Sequence, residues 1–137
     1  MLKIIYGKKG SGKSQQLVDA ANSEVKTAKG DILYIDDNAR RMYDLRHEVR
    51  FVDTSEYGID SQDKLYGLIC GMLASNYDVS AIYVDSIKNV TDKNLDINRA
   101  ESIIESLDKV TNGKNFVMVI TGIPENCPEF IKLRIEN

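Results

Sequence analysis

Gly7-Lys8-Lys9-Gly10-Ser11-Gly12-Lys13-Ser14 places glycines, a lysine and a hydroxyl at the spacing G-x-x-x-x-G-K-[ST]. Each specified position meets a separate chemical demand. Glycines let the backbone wrap a chain of phosphates with its N–H groups inward, the lysine reaches the outer phosphates, and the hydroxyl ligates Mg²⁺. This Walker A pattern predicts a nucleoside triphosphate site with Gly7, Lys8, Lys9, Gly10, Ser11, Gly12, Lys13 and Ser14 as the binding loop. The backbone from Gly10 to Ser14 would form the cradle, and Lys13 would neutralise charge on the transferred phosphate. A second landmark is Asp85, which closes the apolar run Ala81-Ile82-Tyr83-Val84. A carboxylate at the carboxyl end of a central strand lies where open α/β sheets bind ligands. There it works with the loop hydroxyl on Mg²⁺, so Ser14 and Asp85 are the expected metal pair.

These groups need a strand before the loop and a helix after it. Leu2-Lys3-Ile4-Ile5-Tyr6 reads as a buried strand running into Gly7. Leu17, Ala20, Ala21, Val25 and Ala28 recur at helical spacing, which predicts an amphipathic helix from about Lys13 to Lys29. Its N-terminus would turn free N–H groups and the positive end of its dipole toward the phosphates. Further along, Ile32-Leu33-Tyr34-Ile35 predicts a strand followed by the acidic pair Asp36-Asp37, with a brief strand around Val49-Phe51-Val52. Leu65, Leu68, Ile69, Met72 and Leu73 mark one face of a helix over Gln62 to Ser75. Ile97, Ala100, Ile103, Ile104 and Leu107 mark another, stopped near Asn112-Gly113. Phe116-Val117-Met118-Val119-Ile120 is the most apolar strand, and Ile131-Lys132-Leu133-Arg134-Ile135 alternates like a sheet-edge strand. Strands separated by helices of this length predict a three-layer α/β/α fold with a mostly parallel central sheet.

With 137 residues and 42% hydrophobic side chains, residues 1–137 read as a single nucleotide-binding domain able to bury a core without disulfides. Net charge is −3 and no long basic run occurs, so nucleic acid and membrane are not the expected partners. Cys70 and Cys127 lack metal-like spacing and read as reduced thiols. The N-terminal apolar run is too short for a signal peptide, and no segment approaches transmembrane length. A soluble, cytoplasmic protein is expected.

The chain resembles the nucleotide core of RecA-type recombinases and related ATPases of the RecA/KaiC type, from about Leu2 to Ile123. The resemblance rests on Gly7 to Ser14, on Ile35-Asp36 ending the second strand, and on Tyr83-Val84-Asp85-Ser86-Ile87. It implies a P-loop NTPase fold, with the Phe116–Ile120 strand inserted between the first strand and Ala81–Val84, and ATP and Mg²⁺ as cofactors. It also implies a Glu after the second strand to orient the attacking water. Here that stretch reads Asp36-Asp37-Asn38, with Asn38 nearest the position, so Asp36 or Asp37 is the candidate substitute. A neutral amide cannot accept the water proton. The family's Asn-Gln pair after the fourth strand corresponds to Thr121-Gly122, leaving Thr121 as a candidate phosphate sensor without the Gln.

ATP binding is thus better supported than fast turnover. The leading reading is a weak or partner-stimulated Mg²⁺-dependent ATPase whose nucleotide state controls association with itself or a protein partner. A small-molecule kinase is an alternative, because thymidine kinases have a loop similar to Ser11-Gly12-Lys13-Ser14 followed by Leu17. A nucleic-acid motor subunit is another, and it would need a basic channel. The stretches Lys88 to Asp96 and Gly122 to Glu129 lack the basic or aromatic surface that single strands require. Arg40, Arg41, Arg46, His47 and Arg50 form a local basic cluster, read either as a solvated face or as a contact to a phosphate, an acidic partner or a neighbouring subunit's nucleotide.

Overall fold

Five short runs rich in β-branched and aromatic residues become strands in the computed structural model, which describes residues 1–92 and 94–135. They are β1 (Lys3–Gly7), β2 (Asp31–Asp36), β3 (Val49–Asp53), β4 (Val79–Val84) and β5 (Asn115–Thr121). Their order across the sheet is β1-β5-β4-β2-β3, and every pairing is parallel. As expected, the strand containing Phe116–Ile120 lies between β1 and the strand that leads to Asp85. Lys93, within the Lys88–Asp96 stretch considered above, lies outside the described residues.

Among the described residues, five α-helical segments accompany the sheet: α1 (Lys13–Glu24), α2 (Gln62–Ser75), α3 (Ile87–Val90), α4 (Glu101–Val110) and α5 (Glu129–Lys132). The period-2 alternation of strand side chains sorts the core into two faces. On one face, Leu17, Val18 and Ala21 of α1 pack against Ile32, Tyr34, Ala81, Tyr83, Val117 and Val119. On the other, Leu65 and Ile69 of α2 and Ile103, Ile104 and Leu107 of α4 pack against Leu33, Ile35, Ile82, Val84, Phe116 and Met118. Helices therefore cover both faces of a five-stranded parallel sheet. Full burial of one such Leu or Ile side chain contributes about 1.5–3 kcal/mol.

Three local expectations change. The helix expected to reach Lys29 ends at Glu24, and Val25 and Ala28 pack against the core from the turns that follow. The chain must reverse there to enter β2, where Asp31 N–H donates to the Asp78 carbonyl at 2.7 Å. In α2, Leu68 stays half-buried outside the main cluster, and Tyr66 joins it instead. The expected edge strand over 131–135 is not formed: residues 131 and 132 end α5, and 133 and 134 make a turn. Pro128 precedes α5, Ile131 is drawn into the core, Leu133 is exposed, and only Ile135 bridges to Ile4. Cys70 and Cys127 are free thiols. Among the described residues, no helix is long and apolar enough to cross a membrane.

Candidate functional site

Strand alternation also explains why separate acidic and hydroxyl side chains meet. Tyr34, Tyr83 and Val119 face α1 from β2, β4 and β5. Two residues later, at the carboxyl ends of the strands, the same face carries Asp36, Asp85 and Thr121. Gly7 ends β1 in register with Thr121, and Asp85 extends the β4 pairing by donating its N–H to the Ile35 carbonyl at 2.9 Å. Since α1 begins at Lys13 on this face, its N-terminus opens onto that group. A cavity of about 530 Å³ lies there, lined by Lys13, Ser14, Asp36, Asp85 and Thr121 among others.

The loop has the backbone its sequence requires. Gly10 and Gly12 adopt φ of 81° and 84°, a left-handed conformation that other residues enter only at a cost of about 1 kcal/mol or more. Ser11 N–H closes a tight turn onto the Lys8 carbonyl at 3.2 Å, and Gln16 N–H bonds the Gly12 carbonyl at 3.1 Å as the helix starts. Lys13 is nearly buried, and its Nζ donates to the Lys8 carbonyl at 2.6 Å and to Ser11 Oγ at 3.4 Å. Burial lowers its pKa, while the neighbouring Asp85 charge opposes that shift. The ammonium is thus held inside the curve of the loop that the glycines create.

Ser14 Oγ donates to Asp85 Oδ1 at 3.1 Å, which brings together two residues 71 positions apart. Tyr34 OH donates to Asp85 Oδ2 at 3.4 Å. Asp85 and Asp36 are 6% and 4% exposed. Burial raises the pKa of Asp85, tempered by the Ser14 hydroxyl, the Arg41 charge and the Tyr34 hydroxyl. Burial also raises that of Asp36, to about 8, with the nearby Asp85 charge adding to the shift. Asp36 Oδ1 accepts the Asp37 N–H at 2.7 Å. A buried carboxylate, Asp85, with the Ser14 hydroxyl against it, fits one side of a divalent cation. Among the described residues no three acidic, His or Cys side chains form a metal cluster. That donor set suits Mg²⁺, which is usually held by one or two carboxylates together with phosphates and water.

The second-strand residues divide. Asp36 lines the cavity, whereas Asp37 does not and instead accepts the Asn38 Nδ2 at 2.7 Å. Asn38 lines the cavity, as do Arg40 and Arg41. The basic cluster splits at this point. Arg46 pairs with Glu48 at 3.4 Å, His47 Nδ1 lies 3.2 Å from Glu48 Oε1, and Arg50 pairs with Asp31 at 3.4 Å. Gly122 is held close to Tyr6: a Cβ there would overlap the Tyr6 ring and hydroxyl, and Tyr6 OH is fixed on the Ile123 carbonyl at 2.9 Å. Sequence reasoning missed Gln15 and Asn89, which also line the cavity, and named Ser86 only as part of the Tyr83–Ile87 block, with no role in the site. Ser86 adopts φ of 57°, unusual for a residue with a side chain. Its place in the Tyr83–Ile87 block, directly after Asp85, was the signal available in the sequence.

No family model matches this sequence, and no curated protein matches it. Among solved structures, the chain is similar to the flagellar accessory protein FlaH from Methanocaldococcus jannaschii, with a TM-score of 0.52 and 12% identity. The match covers 96% of this chain and 65% of that protein. At this identity the likeness is one of fold, and it extends across the α/β framework that carries the cavity.

Proposed function

We propose that this chain is a RecA-like P-loop protein that binds ATP with Mg²⁺ at the carboxyl ends of its strands and acts as a weak or partner-stimulated ATPase. The observation that carries the reading is the 3.1 Å bond from Ser14 to Asp85, made where the glycine loop enters α1. The fold shared with FlaH is in keeping with it. In this reading the loop N–H groups and the α1 N-terminus cradle the phosphates, and Lys13 offsets their charge. Ser14 and Asp85 hold Mg²⁺, which when bound supplies charge neutralisation and alignment of the phosphates. Thr121 stands at the cavity wall as a candidate phosphate sensor. Asp36 is the better candidate than Asp37 for a role toward water, because it alone of the two lines the cavity. Burial and the Asp85 charge raise its pKa in the ligand-free site, and the neutral Asn38 beside it cannot act as a base.

Slow turnover suits a switch whose bound nucleotide governs self-association or a protein partner. The test is ATP titration with and without Mg²⁺ for the wild type and Asp85→Asn. The wild type is expected to bind more tightly with Mg²⁺, and the variant to lose most of that gain. An identical Mg²⁺ dependence in both proteins would remove Asp85 from the metal pair.

A further inference from the structure

The terminal phosphates of a triphosphate carry most of the charge that distinguishes ATP from ADP, and the site contains two cations outside the glycine loop. Arg40 and Arg41, on the segment after β2, line the same cavity as Lys13, Ser14 and Asp85. Neither forms an ion pair with a described residue, whereas Arg46, Arg50 and Arg134 each pair with a carboxylate. Both are instead held by neutral amides. Asn38 Oδ1 accepts the Arg40 backbone N–H at 2.9 Å and its Nε at 3.1 Å. Arg41 Nη1 donates to Gln15 Oε1 at 3.3 Å, on the first turn of α1 and one residue beyond Ser14.

An amide oxygen orients a guanidinium without neutralising it. A carboxylate at either position would take up the charge in a bidentate pair. Asn38 and Gln15 therefore position these arginines without pairing their charge, which on Arg41 also acts at longer range on Asp85. The remaining lining cations are Lys9 and Lys13, set against the Asp36 and Asp85 carboxyls. Arg40 and Arg41 add two further positive charges to that lining.

We propose that Arg41, with Arg40 beside it, contacts the terminal phosphate of the bound triphosphate within the same chain, so that discrimination of ATP from ADP needs no second subunit. This rests on the nucleotide-binding reading above. It also assigns Asn38 a purpose: the amide that cannot act as a base positions Arg40.

The test compares ATP and ADP affinities, each with Mg²⁺, for the wild type, Arg41→Ala, Arg41→Lys, Arg40→Ala and Asn38→Ala, with thermal melts to verify folding. At protein concentrations where the chain is monomeric, the wild type is expected to prefer ATP. Arg41→Ala should lose roughly tenfold or more in ATP affinity with ADP affinity nearly unchanged, as expected for removal of a charge-assisted hydrogen bond. Arg41→Lys should retain part of the preference. Asn38→Ala should follow Arg40→Ala, both with smaller effects of the same sign. Equal weakening of ATP and ADP by Arg41→Ala, or no change in either, would overturn the proposal, as would an ATP preference that emerges only when the protein oligomerises. A wild type that binds neither nucleotide would instead overturn the underlying reading.

Discussion

A triphosphate offers Lys13 charged acceptors in place of the neutral Lys8 carbonyl it now bonds at 2.6 Å. Hydrogen bonds to charged partners contribute about 1.5–3 kcal/mol, so Lys13→Ala is expected to weaken ATP roughly 10–100-fold in a titration with labelled nucleotide. Wild-type affinity in that variant would take the loop out of the site. The convergence of Lys13, Ser14 and Asp85 on one cavity was legible in the sequence, because each residue type stands at a fixed offset from glycines or from a strand end. Gln15, Ser86 and Asn89 were not legible in that way. They reach the cavity through helix phase and through the left-handed turn at Ser86, neither of which leaves a compositional trace. Arg40 and Arg41 were visible as charges, but nothing in their spacing separated them from Arg46 and Arg50, whose partners Glu48 and Asp31 are settled by the fold.

Elements were read well where one periodicity dominates. The helix over Gln62–Ser75 has its expected bounds because Ser61 caps it, accepting the Lys64 N–H at 3.2 Å, and its apolar residues recur on one face. The Ile131–Ile135 run misled because three apolar residues at even spacing satisfy a strand pattern equally well. Pro128 and the pull of Ile131 into the core favour a helical turn there instead. Entry into β2 depends on a feature no periodicity reveals. Gly30 packs so closely on the Asp78 backbone that an added Cβ would overlap its carbonyl oxygen. Backbone cannot yield as a flexible side chain can, so Gly30→Ala is expected to destabilise the protein by about 1–3 kcal/mol, the usual cost of overpacking. Chemical denaturation should show a lower midpoint at unchanged slope. An unchanged midpoint would mean that the turn before β2 adjusts freely.

At the scale of the molecule, gathering two carboxyls at one buried edge of the sheet has a cost. Asp36 and Asp85 are buried side by side on the α1 face, and burial together with the Asp85 charge lifts the Asp36 pKa to about 8. In the unfolded chain an Asp carboxyl titrates near 3.9. Between those values the folded protein holds a proton that the unfolded chain has released, so the native state binds more protons and stability falls as pH rises. The contribution of Asp36 is fully present below about pH 4 and is lost progressively as pH climbs through about 8. Thermal melts of the nucleotide-free protein in a metal chelator should therefore show the wild type losing stability across this window. Asp36→Asn, neutral at every pH, should flatten that slope and melt higher than the wild type at pH 8 and above. ATP with Mg²⁺ should oppose the wild-type loss, because a ligand that binds only the folded state at 100 times its Kd adds about 2.7 kcal/mol. Parallel pH profiles for the wild type and Asp36→Asn would show that the carboxyl is not held in the buried, charge-crowded setting from which its role in the site is argued.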